Sequence, residues 1–314
     1  MRLTVLLSDR PAARAWRMRD GIAPTAEHNL RGSCLMVLSM AAFTCNDTVM
    51  KVVTASMPLH EAVTLRGLAV LGLMAVLARA QGGLRLAVPR RDIGHLLLRS
   101  LAEIASTLFY LRALRHLPLS QLSAIMQALP LAVTLAAALC YRDRLGAHRL
   151  AAIGIGFLGV LLILRPGTGA FTLWSGVALA AMLLIVVRDL ATRRLSAGMG
   201  SATVAFYAAL AVTLAGLALG VGEGWHPPSG SEAALLVLSA LFLTVGYITA
   251  VAAVRTGEVS VVAPFRYSSL LWAILLGLIC FGEWPDRWTW AGAALVVGAG
   301  LYGVMRERQA RRSS

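Results

Sequence analysis

Ionisable side chains stand inside long apolar runs, at spacings that a helix turns into single faces. Asp47 and Lys51 are four residues apart, and so are Arg99 and Glu103. That separation puts each pair on one helical face, with the acid ahead of the base in the first pair, the more favourable order. A charged side chain at bilayer depth costs about 2.5–3.5 kcal/mol on insertion scales, so it persists where it pairs or faces water. Asp47, Lys51 and Glu103 therefore have two uses: structural ion pairing, or carriage of a proton or ion coupled to movement of a solute. Glu103 stands ten residues into its apolar run, about 15 Å deep at 1.5 Å per residue, where a desolvated carboxylate takes up a proton more readily than in water. Lys51, near the end of its run, can also snorkel to the interface.

Arg266 has no acid three or four positions away. Its partner must come from another helix or from a bound molecule, and its planar guanidinium suits a carboxylate, phosphate or amide edge. Arg66 is similar, but Glu61 is near it in sequence, which leaves topological and binding roles equally open. Tyr110, Gln127, Tyr267 and Trp272 add hydrogen-bonding groups and ring faces on the same runs. Packing or interfacial anchoring is the ordinary use of such rings. Grouped with Arg66 and Arg266, they would make a wall for a planar or zwitterionic organic solute. No Gly-rich phosphate loop, HExxH pair, nucleophile elbow or metal-ligand spacing occurs. No catalytic residue, metal or cofactor is expected, and the chain does not read as an enzyme.

The elements that carry these residues follow from composition. Of 314 residues 58% are hydrophobic and 14% charged, against about 25% charged in a soluble domain. The class is all-α integral membrane, because the apolar runs are about twice as long as a barrel strand and do not alternate. A span needs about 20 apolar residues, and windows at 32–53, 60–80, 93–115, 118–141, 147–165, 172–190, 199–222, 231–254, 258–281 and 288–305 meet that length. Ten transmembrane helices are expected. The net charge of +14 is spread between the runs instead of forming a nucleic-acid patch. Most of the 29 Lys and Arg residues then fall on one side, including Arg90, Arg91, Arg188, Arg193 and Arg308. That bias puts both termini in the cytoplasm. Cys34, Cys45, Cys140 and Cys280 lie within apolar runs without framework or metal spacing, and act as small apolar filler.

The chain also repeats itself. At one constant offset Arg115 aligns with Arg255, Ser120 with Ser260, Leu131 with Leu271 and Asp143 with Glu283. At a nearly equal offset Asp47 aligns with Asp189 and Lys51 with Arg193. Self-similarity at a fixed period is a fold-level signal. Ten spans in two halves give five per half, and an odd number forces the second half to enter from the opposite side. The expected organisation is a basic tail over residues 1–31, a first five-helix repeat over 32–165, an inverted second repeat over 172–305, and a basic tail over 306–314. Inverted repeats are a signature of secondary transporters, since two like halves of opposite sense adopt two related packings. Pro130 and Pro264 interrupt the fourth and ninth spans at positions that the offset does not superpose.

Asp47 with Lys51, Arg66, the stretch RALRHLPLSQLSAIMQALPLAVTLAAAL, the stretch GFLGVLLILRPG (Gly156–Gly167) and the stretch APFRYSSLLWAILLGLICFGEWPD (Ala263–Asp286) resemble the EamA branch of the drug/metabolite transporter superfamily. Within that branch the likeness is to members that import S-adenosylmethionine or riboflavin. The resemblance covers most of residues 32–306 and implies a ten-helix fold with a central cavity between two halves and exchange of substrate by alternating access. Arg66, Arg266 and Tyr267 match its pattern, while the role of Glu103 rests on physical argument alone. The expected function is secondary transport of a small polar organic metabolite across the cytoplasmic membrane, proton-coupled or by exchange. The partners are that solute and the lipid bilayer, with no nucleic acid. A membrane enzyme or lipid-handling protein using the same buried charges is the second reading.

Overall fold

The computed structural model describes residues 26–80, 86–141, 146–168, 171–196 and 199–312. Among the described residues all regular structure is helical. The helices are α1 (Ala26–Ser56), α2 (Leu59–Ala80), α3 (Ile93–His116), α4 (Leu119–Met126), α5 (Leu129–Tyr141), α6 (Ala147–Leu164), α7 (Leu173–Arg193), α8 (Ser201–Leu219), α9 (Gly230–Thr256), α10 (Val259–Val262), α11 (Ser268–Phe281) and α12 (Arg287–Arg312). Every apolar window of the sequence falls on one helix or on consecutive pieces of one. Helix starts at Ala26, and α12 runs to Arg312, so the parts of both basic tails that are described continue the neighbouring spans. The greater part of the first tail lies outside the described residues.

Eight helical segments are long and apolar enough to cross a membrane, and Leu150–Leu164 is a shorter apolar helix. The one long helix not among them is α3. It carries Arg99, Glu103, Arg112 and Arg115, which dilute its apolar character. The packing is inverted relative to a water-soluble protein. Leu139 is 73% exposed and Ile279 67%, while Arg66, Asn46 and Gln127 are buried. Lipid is the solvent that accepts such an exterior, because backbone groups are satisfied within each helix and only the apolar side chains face outward.

α1 packs on α9, α3 on α7, α6 on α12, α2 on α8 and α4 on α11. Small residues allow the closest of these approaches. A Cβ on Gly246 of α9 would stand 2.7 Å from the ring of Phe43 in α1, and the Gly246 carbonyl accepts from Ser39 Oγ at 2.8 Å. The largest apolar cluster joins Met50, Leu114, Ile125, Ile163, Met182 and Val296, drawn from both parts of the chain.

Two spans are broken, and the breaks superpose although the prolines do not. α4 ends at Met126, its last turn tightened by Ala128 N–H donating to Ile125 O at 3.1 Å. α5 then starts with Pro130 in its first turn, where a missing N–H costs no helical bond. In the second part α10 gives way to a 3-10 segment, Ala263–Tyr267, with Pro264 at its start. Gln127 and Tyr267 stand 140 positions apart and touch: Gln127 Nε2 donates to Tyr267 O at 3.2 Å and to Ser269 Oγ at 2.8 Å. Under the 140-residue offset Pro264 stands about six positions ahead of Pro130, within the 3-10 segment, while the second helices of the two broken spans start one residue apart in register, at Leu129 and Ser268.

Candidate functional site

A polar cluster forms where α1, α2, α3, α7 and α9 face one another. α1 supplies Asn46 and Asp47, near the middle of its length. Tyr110 of α3 donates to Asp47 Oδ2 at 2.6 Å and Asn46 Nδ2 donates to Asp47 Oδ1 at 3.0 Å. Asn46 is itself fixed by Ser239 of α9, whose hydroxyl donates to its Oδ1 at 2.7 Å. Asp47 is thus held by neutral donors, which orient a carboxylate without cancelling its charge.

Glu103 is held differently. Arg99 Nη2 lies 3.2 Å from Glu103 Oε2, the i,i+4 pair that the sequence anticipates, and Arg188 Nη1 of α7 approaches Oε1 at 3.4 Å. Arg188 also binds its neighbour Asp189 at 2.8 Å. Arg99, Glu103, Arg188 and Asp189 form a chain of alternating charge, with the Glu103 and Arg99 side chains only 13% and 12% exposed. Two cations face this one carboxylate, one on its own helix and one on α7, an arrangement that ties α3 to α7 and suits an anchor.

Arg66 of α2 is buried, within electrostatic reach of Asp47, Glu103 and Tyr247. Among the described residues no carboxylate comes within ion-pair distance of its guanidinium. Tyr247 of α9 completes the cluster. It is 52% exposed, lies within reach of Glu103, Arg188, Arg99 and Arg66, and meets Phe43 edge-on with ring centroids 5.2 Å apart. Tyr247 thus stands open beside four charged groups, which at membrane depth persist where they pair or face water.

The other residues singled out in the sequence lie elsewhere. Gln127 is buried at the crossing of the two broken spans. Tyr267 is 9% exposed and packs on Gly300 of α12, where a Cβ would collide with its ring. Trp272 lines an apolar groove of about 710 Å³ between the first half of α1 and Val261 and Phe265. Arg266 is exposed on the 3-10 segment and makes no ion pair among the described residues. Lys51 does not pair with Asp47. Its Nζ binds Glu283 Oε1 and Leu117 O, each at 2.6 Å, while Glu283 Oε2 accepts from Leu119 N–H at 2.8 Å. The structure therefore gathers Asp47, Arg66, Glu103 and Tyr110 and separates Lys51, Gln127, Arg266, Tyr267 and Trp272 from them.

Arg188, Asp189 and Tyr247 join the cluster without having been singled out as site residues. Arg188 reads as a loop charge by position, yet α7 extends to Arg193 and turns it inward. Asp189 carried a signal, since the repeat aligns it with Asp47. Tyr247 carried none. The four cysteines are free, and Cys34, Cys140 and Cys280 are exposed, so only Cys45 is even partly interior.

Residues 30–165 and 172–305 each match the description of the EamA-like transporter family. The chain belongs to that family. It is 27% identical over 273 residues to a riboflavin transporter of Vibrio cholerae, covering 86% of this chain and 91% of that one. It is 26% identical to the pseudopaline exporter CntI of Pseudomonas aeruginosa, over 85% and 94% of the two chains. An S-adenosylmethionine uptake transporter of Rickettsia prowazekii is 22% identical over 90% and 96%. A crystal structure superposes on 88% of this chain and 99% of its own length, with a TM-score of 0.61 at 19% identity, a likeness of fold. Transport of a small metabolite is what the names of these relatives have in common. The charged cluster of this EamA-like chain draws on helices from both matched segments.

Proposed function

We propose that this EamA-like protein is a secondary transporter that moves a small polar organic metabolite across the cytoplasmic membrane by alternating access. The observation that carries this reading is the cluster around Asp47, Arg66, Glu103 and Tyr247, charged groups retained at depth and contributed by both parts of the chain. Ten crossings in two inverted repeats, 32–165 and 172–305, are the architecture we assign. The helix pairing supports it: exchanging the first five spans for the last five turns the α1–α9 contact into α7–α3 and maps α2–α8 and α6–α12 onto themselves. Both termini then lie in the cytoplasm, on the side favoured by the arginines. Arg66, Tyr110 and Tyr247 face the solute, Asp47 is the coupling residue, and Arg99, Glu103, Arg188 and Asp189 set the walls.

The experiment is flux into liposomes holding the purified chain, with riboflavin and S-adenosylmethionine as the first solutes because relatives carry those names. Saturable uptake that responds to an imposed pH gradient is expected. A groove as apolar as the one beside Trp272 favours lipid handling as the second reading. Movement of labelled lipid between leaflets without solute flux, or chemical turnover without flux, replaces the first reading with that one.

A further inference from the structure

The charges of the cluster divide into two sets, and the division carries a consequence for what the site binds. Arg99, Glu103, Arg188 and Asp189 pair with one another, with nitrogen to oxygen distances of 3.2, 3.4 and 2.8 Å, and sum to zero, although Arg99 Nε and Nη1 find no acceptor among the described residues. Asp47 and Arg66 are left. They also sum to zero, but neither closes on the other: Asp47 takes its hydrogen bonds from Tyr110 and Asn46, and Arg66 has no acid within ion-pair distance among the described residues. A guanidinium at depth without an ion-pair partner is a ready seat for an anion. Asp47, Tyr247 and Glu103 lie within electrostatic reach of Arg66, and neither carboxylate closes on it among the described residues.

We propose that the site takes a solute bearing one anionic group, which lies on Arg66, and that Asp47 is protonated as the solute binds. The proposal rests on the transporter reading and narrows it to a class of substrate. Proton and anion arrive together, so the loaded site has the same net charge as the empty one. With the proton on Asp47, the field that partly satisfied Arg66 is gone, and the guanidinium is free for a carboxylate or similar group in bidentate contact. Without it, an incoming anion meets the negative Asp47 beside its cation. Proton uptake and anion binding must then strengthen each other by the same factor.

The neighbours of Asp47 permit this. α2 presents Arg66, α3 presents Tyr110 and, farther off, Glu103, and α9 presents Ser239 through Asn46, with Tyr247 beyond Arg66. On α1 itself Cys45 is adjacent, with Cys280 of α11 behind it. No guanidinium or ammonium touches the Asp47 carboxylate among the described residues, whereas Glu103 faces two. Protonating Glu103 would strand Arg99 and leave Arg188 with Asp189 alone, so the coupling proton is placed on Asp47. Phe43 and Tyr247 add an edge-on pair of rings beside Arg66, which selects anions attached to an aromatic or flat apolar body.

The test uses the full chain in lipid nanodiscs and a matched panel of aryl carboxylates, the corresponding carboxamides and the corresponding amines. Thermal stabilisation is followed at mildly acid and mildly alkaline pH. Carboxylates are expected to bind in preference to the other two classes, roughly tenfold more tightly on the acid side. Asp47→Asn, a near-isosteric mimic of the protonated acid, should hold the acid-side affinity at both pH values. Arg66→Gln should lose the preference for carboxylates, and Arg66→Lys should keep the preference at lower affinity, which separates loss of charge from misfolding. Equal or better binding of carboxamides or amines, silence of all three classes, or a carboxylate affinity that ignores pH in the unmutated protein overturns the proposal. Binding with the expected charge and pH pattern but without flux in liposomes leaves this inference standing and removes the transporter reading instead.

Discussion

Two carboxylates of one cluster have different neighbours, and that difference decides what each can do. Glu103 faces Arg99 and Arg188 and Asp47 faces a phenol and an amide, so their amide variants should not behave alike. Glu103→Gln leaves the mostly buried Arg99 guanidinium without a counter-charge and Arg188 with Asp189 alone, a loss of about 3–5 kcal/mol for breaking a buried pair. Asp47→Asn keeps an oxygen for the Tyr110 hydroxyl and should cost about 1 kcal/mol. Thermal unfolding of the purified variants in one detergent compares them directly. A midpoint for Asp47→Asn as low as that for Glu103→Gln would show that Asp47 is also a structural anchor. Both acids look equivalent in sequence, each on an apolar run with a base four positions away. The i,i+4 partner is real for Glu103 and is not taken up by Asp47, because Lys51 finds a carboxylate and a carbonyl on other elements.

Helix ends tie the bundle together where the chain leaves the apolar layer. α6 stops at Arg165, whose backbone is left-handed at φ 48°, and Pro166 prevents the helix from continuing. The Arg165 side chain crosses to Asp286 at 2.5 Å, and Asp286 Oδ1 accepts from Thr289 N–H at 2.8 Å, capping the first turn of α12. Partial burial pushes the Asp286 carboxyl up, but the Thr289 hydrogen bonds and the Arg165 charge outweigh it and hold the group below its ordinary value of 3.8. A carboxyl depressed on folding stabilises the folded state above its unfolded pKa, and that contribution is lost as pH falls through the folded value. Stability attributable to Asp286 should therefore be constant from neutral pH down to about pH 4 and disappear below it. Asp286→Ala should cost about 1 kcal/mol at neutral pH, as a lost cap does, and should no longer differ from the parent in strong acid. Unfolding midpoints of the two proteins across that range check both points, and an unchanged gap in acid would count against the cap.

For the whole molecule, the tie made by Lys51 and Glu283 joins the end of α1 to the α3–α4 turn and to the α11–α12 turn, three segments that must separate if the bundle is to open at that end. The Lys51 ammonium also stands 4.9 Å from the centre of the Phe281 ring. Lys51→Met removes the charge and both of its hydrogen bonds while Glu283 keeps its bond from Leu119 N–H. Access from that end should then increase. Cys45, partly buried and less than two turns from Lys51, is a native reporter once Cys34, Cys140 and Cys280 are replaced by Ala. Its labelling by a membrane-impermeant maleimide should be several-fold faster in the Lys51→Met background. An unchanged rate would mean that the tie fastens the bundle without controlling access.

The sequence by itself determined the class, the helix windows and the kinship of the two matched segments. Those features are local: an apolar run long enough for a bilayer becomes a helix whatever its neighbours are, and a repeat can be read by alignment alone. It also marked Asp47, Arg66, Tyr110 and Glu103, which the fold brings into one cluster, because an ionisable group in hydrocarbon is conspicuous without any knowledge of packing. Only the tertiary structure decided which of them meet. Arg266 and Arg66 are equally conspicuous in sequence, yet one is exposed on a 3-10 segment and the other is buried beside Asp47, since helix rotation and crossing fix the direction of a side chain and neither is encoded in spacing. For the same reason Arg188 and Tyr247 entered the cluster from helices where nothing local marked them, and the division of charges into a closed set and an open pair exists only once α1, α2, α3, α7 and α9 are brought together.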